Sequence, residues 1–173
     1  MGSPSIATSH AKERQLRFDE LVNALLSDPP SKFDPFRIYR SHYTSDNIDI
    51  GVDILLPKKM KPQGPRPVIV RIHGGFLVTG SSLFPAWFTK WILDYAELHD
   101  AVIISPNYRL LPEAKGVDIL QDLNNFWSWL STGVEQSLAS VGLSNIKLDL
   151  GQLLVVGESA GELKLLGQKQ RLN

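Results

Sequence analysis

A serine flanked by glycines stands near the carboxyl-terminal end of the chain, directly after the apolar run QLLVVG. Gly157, Glu158, Ser159, Ala160 and Gly161 match the pattern Gly-x-Ser-x-Gly, and the run before them predicts a strand. A tight turn from strand to helix exposes a serine hydroxyl, and glycines on both sides let the two elements approach each other. The pentapeptide predicts a nucleophilic serine at 159, although an ordinary glycine-serine turn explains it equally well when it is taken alone.

A second glycine-rich segment follows another predicted strand, PVIVRI, and contains His73, Gly74, Gly75 and Phe76. Attack on a carbonyl group builds negative charge on its oxygen, and each backbone N–H held about 3 Å from that oxygen stabilises the transition state by roughly 3–4 kcal/mol. Glycines let the main chain come this close. A tight turn around a buried, hydrogen-bonded histidine is the alternative, and the Gly-x-Ser-x-Gly pattern downstream makes it the weaker one.

The elements that must position these two segments alternate between strands and helices. The runs FRIYRSHYT, IDIGVDILLP and AVIISPNY predict further strands, whereas PAWFTKWILDYAELHD and GVDILQDLNNFWSWLS predict helices. Alternation of this kind predicts an α/β fold, with a mostly parallel sheet flanked by helices. Phe84, Trp87 and Trp91, which lie in or beside the first helix, are expected in the core.

The first part of the chain predicts an amphipathic helix. In HAKERQLRFDELVNALLSDPP the apolar residues Leu16, Leu21, Val22, Leu25 and Leu26 recur at helical spacing until two prolines end the segment. Such a helix either lies on the surface of the domain or forms part of a cap over a site. We therefore expect an N-terminal helical segment at residues 1–35, as a candidate cap, and a partial α/β domain at residues 36–173.

The composition excludes several classes of function. The 173 residues include 18 basic and 18 acidic side chains and no cysteine, so disulfides, thiolate catalysis and cysteine metal sites are ruled out. A balanced charge offers no field for nucleic acid. Because no apolar run has the length of a signal or membrane segment, we expect no membrane anchor and a cytoplasmic location. The composition leaves the oligomeric state open.

Three motifs together resemble a known family. HGGFLVTGS, NYRLLPEAKGVDILQDL and GESAG occur in the order found in the α/β-hydrolase family, in the branch of hormone-sensitive lipase and related carboxylesterases. The resemblance covers residues 36–161 and implies an incomplete α/β-hydrolase core. It further implies a serine hydrolase that acts on a small-molecule carboxylic ester through an acyl-enzyme, with no metal and no other cofactor.

The resemblance also implies roles for single residues. Ser159 would be the nucleophile, and the N–H groups of Gly75, Phe76 and Ala160 would form the oxyanion hole. His73 and Gly74 would support the oxyanion loop, and Gly157, Glu158 and Gly161 would shape the turn at the nucleophile. Phe76 replaces a third glycine of the family, which restricts φ and brings a ring towards the acyl pocket.

Three charged residues of the second motif are expected to serve the scaffold. Arg109 and Glu113, with Asp122 in the following helix, resemble residues that form structural pairings near the sheet. A catalytic role for one of these carboxylates is the weaker alternative, because ion pairs in such positions are usually part of the scaffold.

The chain departs from the family after the nucleophile. The family places an acid and then a histidine beyond the serine, whereas AGELKLLGQKQRLN follows Ser159 and contains neither histidine nor aspartate. The four histidines, His10, His42, His73 and His99, all precede it. Loss of a triad histidine lowers turnover about 10⁶-fold, so we expect a truncated chain that is itself inactive. A non-catalytic ligand-binding module and a functionless truncation product are the alternatives, and an uncovered apolar edge at the LLVV strand is expected to favour aggregation.

Overall fold

The computed structural model describes residues 14, 15, 17, 20, 21, 28–61 and 64–162. The described residues between 14 and 21 are helical and exposed. This agrees with the predicted N-terminal helix, but most of its apolar stripe, including Leu16, Val22, Leu25 and Leu26, lies outside the described residues. The division of the chain at residue 35 stays a prediction.

In the described part of the chain, five strands form one sheet in the spatial order β1-β2-β4-β3-β5. Their bounds are β1 Phe36–Ser45, β2 Ile48–Pro57, β3 Arg66–Ile72, β4 Val102–Pro106 and β5 Leu148–Gly157. The pairs β3–β4 and β3–β5 are parallel, whereas β1–β2 and β2–β4 are antiparallel. The sheet is therefore mixed, and the prediction of a mostly parallel sheet holds only for the half that contains β3, β4 and β5.

A two-residue turn explains the antiparallel half of the sheet. Asp46 and Asn47 connect β1 to β2 with φ values of 50° and 62°, and Ser45 pairs with Ile48 across the turn. Two consecutive positive φ values define the type I′ turn, which joins only antiparallel strands. The prediction used the alternation of strands and helices and did not include this short turn. It therefore predicted too many parallel strand pairs.

Between residues 64 and 162, three helices cover the sheet: α1 Lys90–His99, α2 Gly116–Thr132 and α3 Val134–Ser140. The helix predicted from Pro85 to Asp100 is divided, because Phe88 and Thr89 have extended backbones between a 3-10 turn at Pro85–Trp87 and α1. Helix α3 was not predicted. No helix in the described part of the chain is both long and apolar enough to cross a bilayer.

The core lies on both faces of the sheet. Along β3, Val68, Val70 and Ile72 belong to the cluster that packs against α2 and α3, whereas Ile69 belongs to the cluster around α1. A strand that is buried on both faces is apolar at nearly every position, which explains the continuous run in β3. The core prediction is wrong for Trp91, whose side chain is 50% exposed on α1.

Strand β5 lies at the edge of the described sheet and pairs there only with β3. Leu150, Leu153 and Leu154 on this strand are each more than a third exposed. The predicted apolar edge is therefore present in the described residues, and the expected aggregation stays a prediction.

An ion pair fixes the segment after β4 to α2. Arg109 donates from Nη2 and Nε to the buried Asp122 carboxylate over 2.6 and 3.0 Å, and its backbone N–H donates to the same carboxylate over 3.0 Å. Asp46 accepts from Arg109 Nη2 over 2.7 Å. These carboxylates raise the pKa of the guanidinium above its ordinary value. Glu113 is exposed and forms no ion pair within the described ranges, so the predicted pairing is confirmed for Arg109 and Asp122 alone.

We expect Asp122→Ala to lower the free energy of unfolding by about 2 kcal/mol. The substitution leaves the Arg109 N–H without its acceptor, while the guanidinium keeps Asp46 and some contact with water. Chemical denaturation measures the change. Asp94→Ala is the control, because Asp94 pairs with Lys90 only on the exposed face of α1, where such a pair contributes about 0.5 kcal/mol. Equal losses for the two variants would contradict the buried pairing.

Candidate active site

The two glycine-rich segments leave the sheet side by side. Strands β3 and β5 are parallel neighbours, and their last residues, Ile72 and Gly157, pair directly. The Glu158 N–H also donates to the Ile72 carbonyl oxygen over 3.0 Å. Because the loops of adjacent parallel strands emerge at the same edge, the segment after Ile72 and the segment after Gly157 meet at the carboxyl ends of the strands.

Ser159 occupies a strained and exposed turn. Its φ is 53°, in the left-handed region that costs a non-glycine residue about 1–3 kcal/mol, and helical structure begins directly after it at Ala160. A Cβ at Gly157 would lie 2.6 Å from the Gly161 carbonyl carbon, and one at Gly161 would lie 2.5 Å from the Ile72 carbonyl oxygen. Both glycines are needed because strand and helix approach within these distances.

The loop after His73 is a tight turn of unusual backbone geometry. Gly75, Phe76 and Leu77 have φ values of 114°, 55° and 67°. The N–H groups of Val78 and Thr79 both donate to the Gly75 carbonyl oxygen over 3.0 Å. A bulky Phe76 thus adopts the conformation that a glycine would take freely, and its ring is 79% exposed.

This loop contacts the turn at Ser159. A Cβ at Gly74 would lie 3.3 Å from the Ser159 Cβ and 2.7 Å from the Glu158 carbonyl oxygen. No backbone hydrogen bond between described residues uses the N–H groups of Gly75, Phe76 or Ala160. The structure therefore brings the predicted loop and the predicted nucleophile together, with backbone donors that remain available to a ligand.

His73 is buried beside the loop that follows β3. Its side chain is 1% exposed, its ring stacks on Tyr108 with centroids 4.1 Å apart, and Nδ1 lies 2.7 Å from the Gly74 carbonyl oxygen. The Tyr108 hydroxyl donates to the His73 carbonyl oxygen over 2.8 Å, and burial raises the pKa of that hydroxyl above its ordinary value. These contacts fit a residue that orients the loop.

The remaining histidines lie elsewhere. His42 is on β1, at the edge of the described sheet opposite β5, and its Nε2 lies 3.9 Å from Asp49. His99 ends α1, where its ring lies 4.2 Å from that of Tyr95. His10 is outside the described residues. In the described ranges, no group of three or more His, Cys, Asp or Glu residues could hold a metal ion.

One buried pair beside Ser159 was not predicted from the sequence. Glu158 forms an ion pair with Arg71, whose side chain is completely buried near the end of β3. The signal in the sequence was an arginine inside the otherwise apolar run PVIVRI. A charge in a buried strand requires a partner, but nothing in the sequence indicates which carboxylate that is.

A groove of about 540 Å³ opens beside the turn. Its lining is mostly apolar and comes from the loop, the start of α2 and the turn: Leu77, Lys115, Gly116, Val117, Ile119, Leu120 and Ala160. Phe76 is absent from this lining, and its expected place beside the acyl pocket stays a prediction. An apolar group bound in the groove would lie next to Ala160 and thus close to Ser159.

Comparisons with known proteins agree with this fold. Residues 69–162 match the family model described as alpha/beta hydrolase fold. The chain is 43% identical over 113 residues to "Probable carboxylesterase M8" of a Phoma species, covering 62% of this chain and 34% of that protein. It is 44% identical over 75 residues to "Probable carboxylesterase clz11" of Cochliobolus lunatus, covering 43% of this chain and 34% of that protein.

A solved structure shares the fold. The esterase of Pyrobaculum calidifontis superposes with a TM-score of 0.62 at 22% identity, over 94% of this chain and 49% of that one. The chain thus spans about a third of the length of the two curated relatives and about half of this structure. The matched residues 69–162 contain most of β3, all of β4 and β5, the turn after β5, and helices α1, α2 and α3. With this sheet, the serine turn and the glycine loop beside it, the chain belongs to the alpha/beta hydrolase fold family.

Proposed function

We propose that the chain carries the nucleophile and the oxyanion hole of a serine hydrolase of carboxylic esters. One observation carries the proposal: an exposed Ser159 at φ 53° lies against Gly74 of a loop whose backbone donors are available. Membership of the family and relatives named as carboxylesterases support the same chemistry.

The proposed reaction begins when the Ser159 hydroxyl oxygen attacks the ester carbonyl carbon and a general base takes the hydroxyl proton. The carbonyl electron pair moves to oxygen, and the N–H groups of Gly75, Phe76 and Ala160 stabilise the oxyanion. The tetrahedral intermediate then expels the alcohol, which receives the proton, and an acyl-enzyme remains. Water attacks the acyl carbon in the second half and releases the carboxylic acid.

The general base and its acid partner are not assigned to the described residues. His73 is stacked on Tyr108 inside the loop support, and the segment after Ser159 contains no histidine and no aspartate. A polypeptide restricted to these 173 residues is therefore proposed to turn over esters extremely slowly, since loss of the triad histidine costs about 10⁶-fold in kcat.

The groove suggests the substrate class. Its mostly apolar lining and its contact with Ala160 favour small esters whose acyl or alcohol part is apolar. Such a group would exclude water from the groove while the carbonyl carbon lies over Ser159.

The test is covalent labelling with a fluorophosphonate, followed by peptide mass spectrometry. It requires a form of the protein that also supplies the general base, which we call the full-length protein. We expect one modified serine, Ser159, because only an activated and exposed hydroxyl displaces fluoride from phosphorus at an appreciable rate. Heat-denatured protein is the control and should remain unlabelled. Labelling at another serine, or equal labelling after denaturation, would refute the assignment of the nucleophile.

A non-catalytic ligand-binding module is the second candidate, and the groove is the observation that favours it. This candidate predicts saturable binding of an apolar ester with no phosphonylation of Ser159. The same labelling experiment therefore separates the two functions.

A further inference from the structure

We propose that the ion pair between Arg71 and Glu158 is a positioning device that sets the placement of Ser159 relative to the oxyanion loop. The inference rests on the proposed function, because it assigns a purpose to two residues beside the nucleophile and the loop of that same site. Neither residue would touch the substrate.

Arg71 binds the segment that follows the oxyanion loop in the sequence. Its Nη1 donates to the Ser82 carbonyl oxygen over 2.9 Å, and its Nη2 donates to the Trp87 carbonyl oxygen over 2.8 Å. The guanidinium carbon lies 4.1 Å from the centre of the Phe88 ring. One buried side chain thus binds three points of the segment between the loop and α1.

Glu158 links Arg71 and Thr89 to the turn that carries Ser159. Its Oε2 faces Arg71 in the ion pair, and its Oε1 accepts hydrogen bonds from Thr89 Oγ1 over 2.9 Å and from the Thr89 N–H over 3.3 Å. Glu158 directly precedes Ser159, and only 15% of its side chain is exposed. The contacts of this carboxylate therefore anchor the residue next to Ser159.

Trp87 links Arg71 to the oxyanion loop. A Cβ at Gly75 would lie 3.1 Å from Trp87 Cζ3, so the indole ring closes one side of the loop. A series of contacts therefore connects Glu158 to Arg71, Arg71 to Trp87, and Trp87 to Gly75. It joins the two halves of the proposed site independently of the contact between Gly74 and Ser159.

Stability alone is a poor reason for this arrangement. Two well-packed apolar residues often stabilise a fold as much as a buried ion pair or more, because both charges must lose their water. Burial disfavours the charged form of Arg71 and lowers its pKa. The negative charge of Glu158 has the opposite effect on that pKa. A charged pair fixes direction and distance better than apolar contacts do, and this property matters next to reacting atoms.

The test compares Glu158→Gln with Glu135→Gln in the full-length protein. Glutamine keeps an acceptor for Thr89 and puts a neutral NH2 group in place of the oxygen that faces Arg71, whereas Glu135 pairs with Lys147 on the surface over 3.5 Å. For hydrolysis of a p-nitrophenyl ester we expect Glu158→Gln to lower kcat about 10²-fold, as small displacements of reacting groups do, with KM unchanged within about threefold. Glu135→Gln should match the unmodified protein. A rise in KM with unchanged kcat would overturn the proposal.

A second variant separates positioning from folding. Arg71→Met combined with Glu158→Leu replaces the pair with apolar side chains and is expected to recover the thermal stability that Glu158→Gln loses. Positioning predicts that kcat stays about 10²-fold low in this double variant. Recovery of kcat together with stability would show that the pair serves only the scaffold and would overturn the proposal.

Hydrogen exchange tests the inference without any turnover. In Glu158→Gln the amides of residues 157–161 should exchange faster than in the unmodified protein and in Glu135→Gln. If Ser159 is neither labelled nor catalytic, the proposed function fails, and faster exchange still supports the positioning role. Unchanged exchange in this segment overturns the positioning role, whatever the activity is.

Discussion

Replacing Ser159 with alanine should lower kcat for ester hydrolysis by the full-length protein about 10⁶-fold, which corresponds to about 8 kcal/mol of barrier. The substitution removes the atom that would form the acyl-enzyme and leaves the loop and the groove in place. The residual rate would come from the backbone donors and from substrate binding. Steady-state hydrolysis of a p-nitrophenyl ester measures the change.

A matched serine provides the control for this variant. Ser131 lies exposed on α2, where its hydroxyl donates to the Trp127 carbonyl oxygen over 3.0 Å. Ser131→Ala should therefore retain full activity. A Ser159→Ala variant with more than about 1% of the original kcat would mean that another group is the nucleophile, because loss of a serine nucleophile has a far larger effect.

Replacing Gly74 with alanine should lower kcat about 10²–10³-fold, as the loss of an oxyanion donor does. The new methyl group would lie 2.7 Å from the Glu158 carbonyl oxygen and 3.3 Å from the Ser159 Cβ. The first distance is too short for a carbon and a backbone oxygen, so the loop and the turn must separate. That separation moves the donors of Gly75 and Phe76 away from the carbonyl group that Ser159 attacks.

The control for Gly74→Ala is Gly51→Ala in β2. A Cβ there would meet only Asn107 Nδ2 at 3.5 Å, which is ordinary contact. Both variants should be compared by kcat and by thermal unfolding, so that a loss of folded protein is not mistaken for a loss of catalysis. Activity of Gly74→Ala within twofold of the original would contradict the proposed need for close contact between the loop and Ser159.

Much of the site could be predicted because its signals are local. The glycines at 157 and 161 occur where a strand turns sharply into a helix, and the structure needs both because a Cβ at either position would collide with backbone. The strands before both segments were predicted from continuous apolar runs, although only β3 is buried in the described residues. The family, the α/β fold and the strand that leads to Ser159 are confirmed by the matched model and by the sheet.

Other features could not be predicted, because they depend on contacts between distant residues. The arginine in PVIVRI pairs with Glu158 only because β3 and β5 are neighbours, with Ile72 opposite Gly157. Trp91 is half exposed because α1 begins only after the extended residue Thr89. The side chains at the start of α1 therefore point in other directions than they would in one continuous helix.

The sequence by itself determined the local parts: the strands, the turn that strains Ser159, and the glycine loop that exposes backbone donors. Periodicity and glycine spacing encode these parts because they depend on a few neighbouring residues. The tertiary structure alone decided which strands became neighbours, that the loop touches Ser159, and that Arg71 and Glu158 form a buried pair. Which strands become neighbours depends on how the whole chain buries both faces of the sheet. A short stretch of sequence does not contain this information.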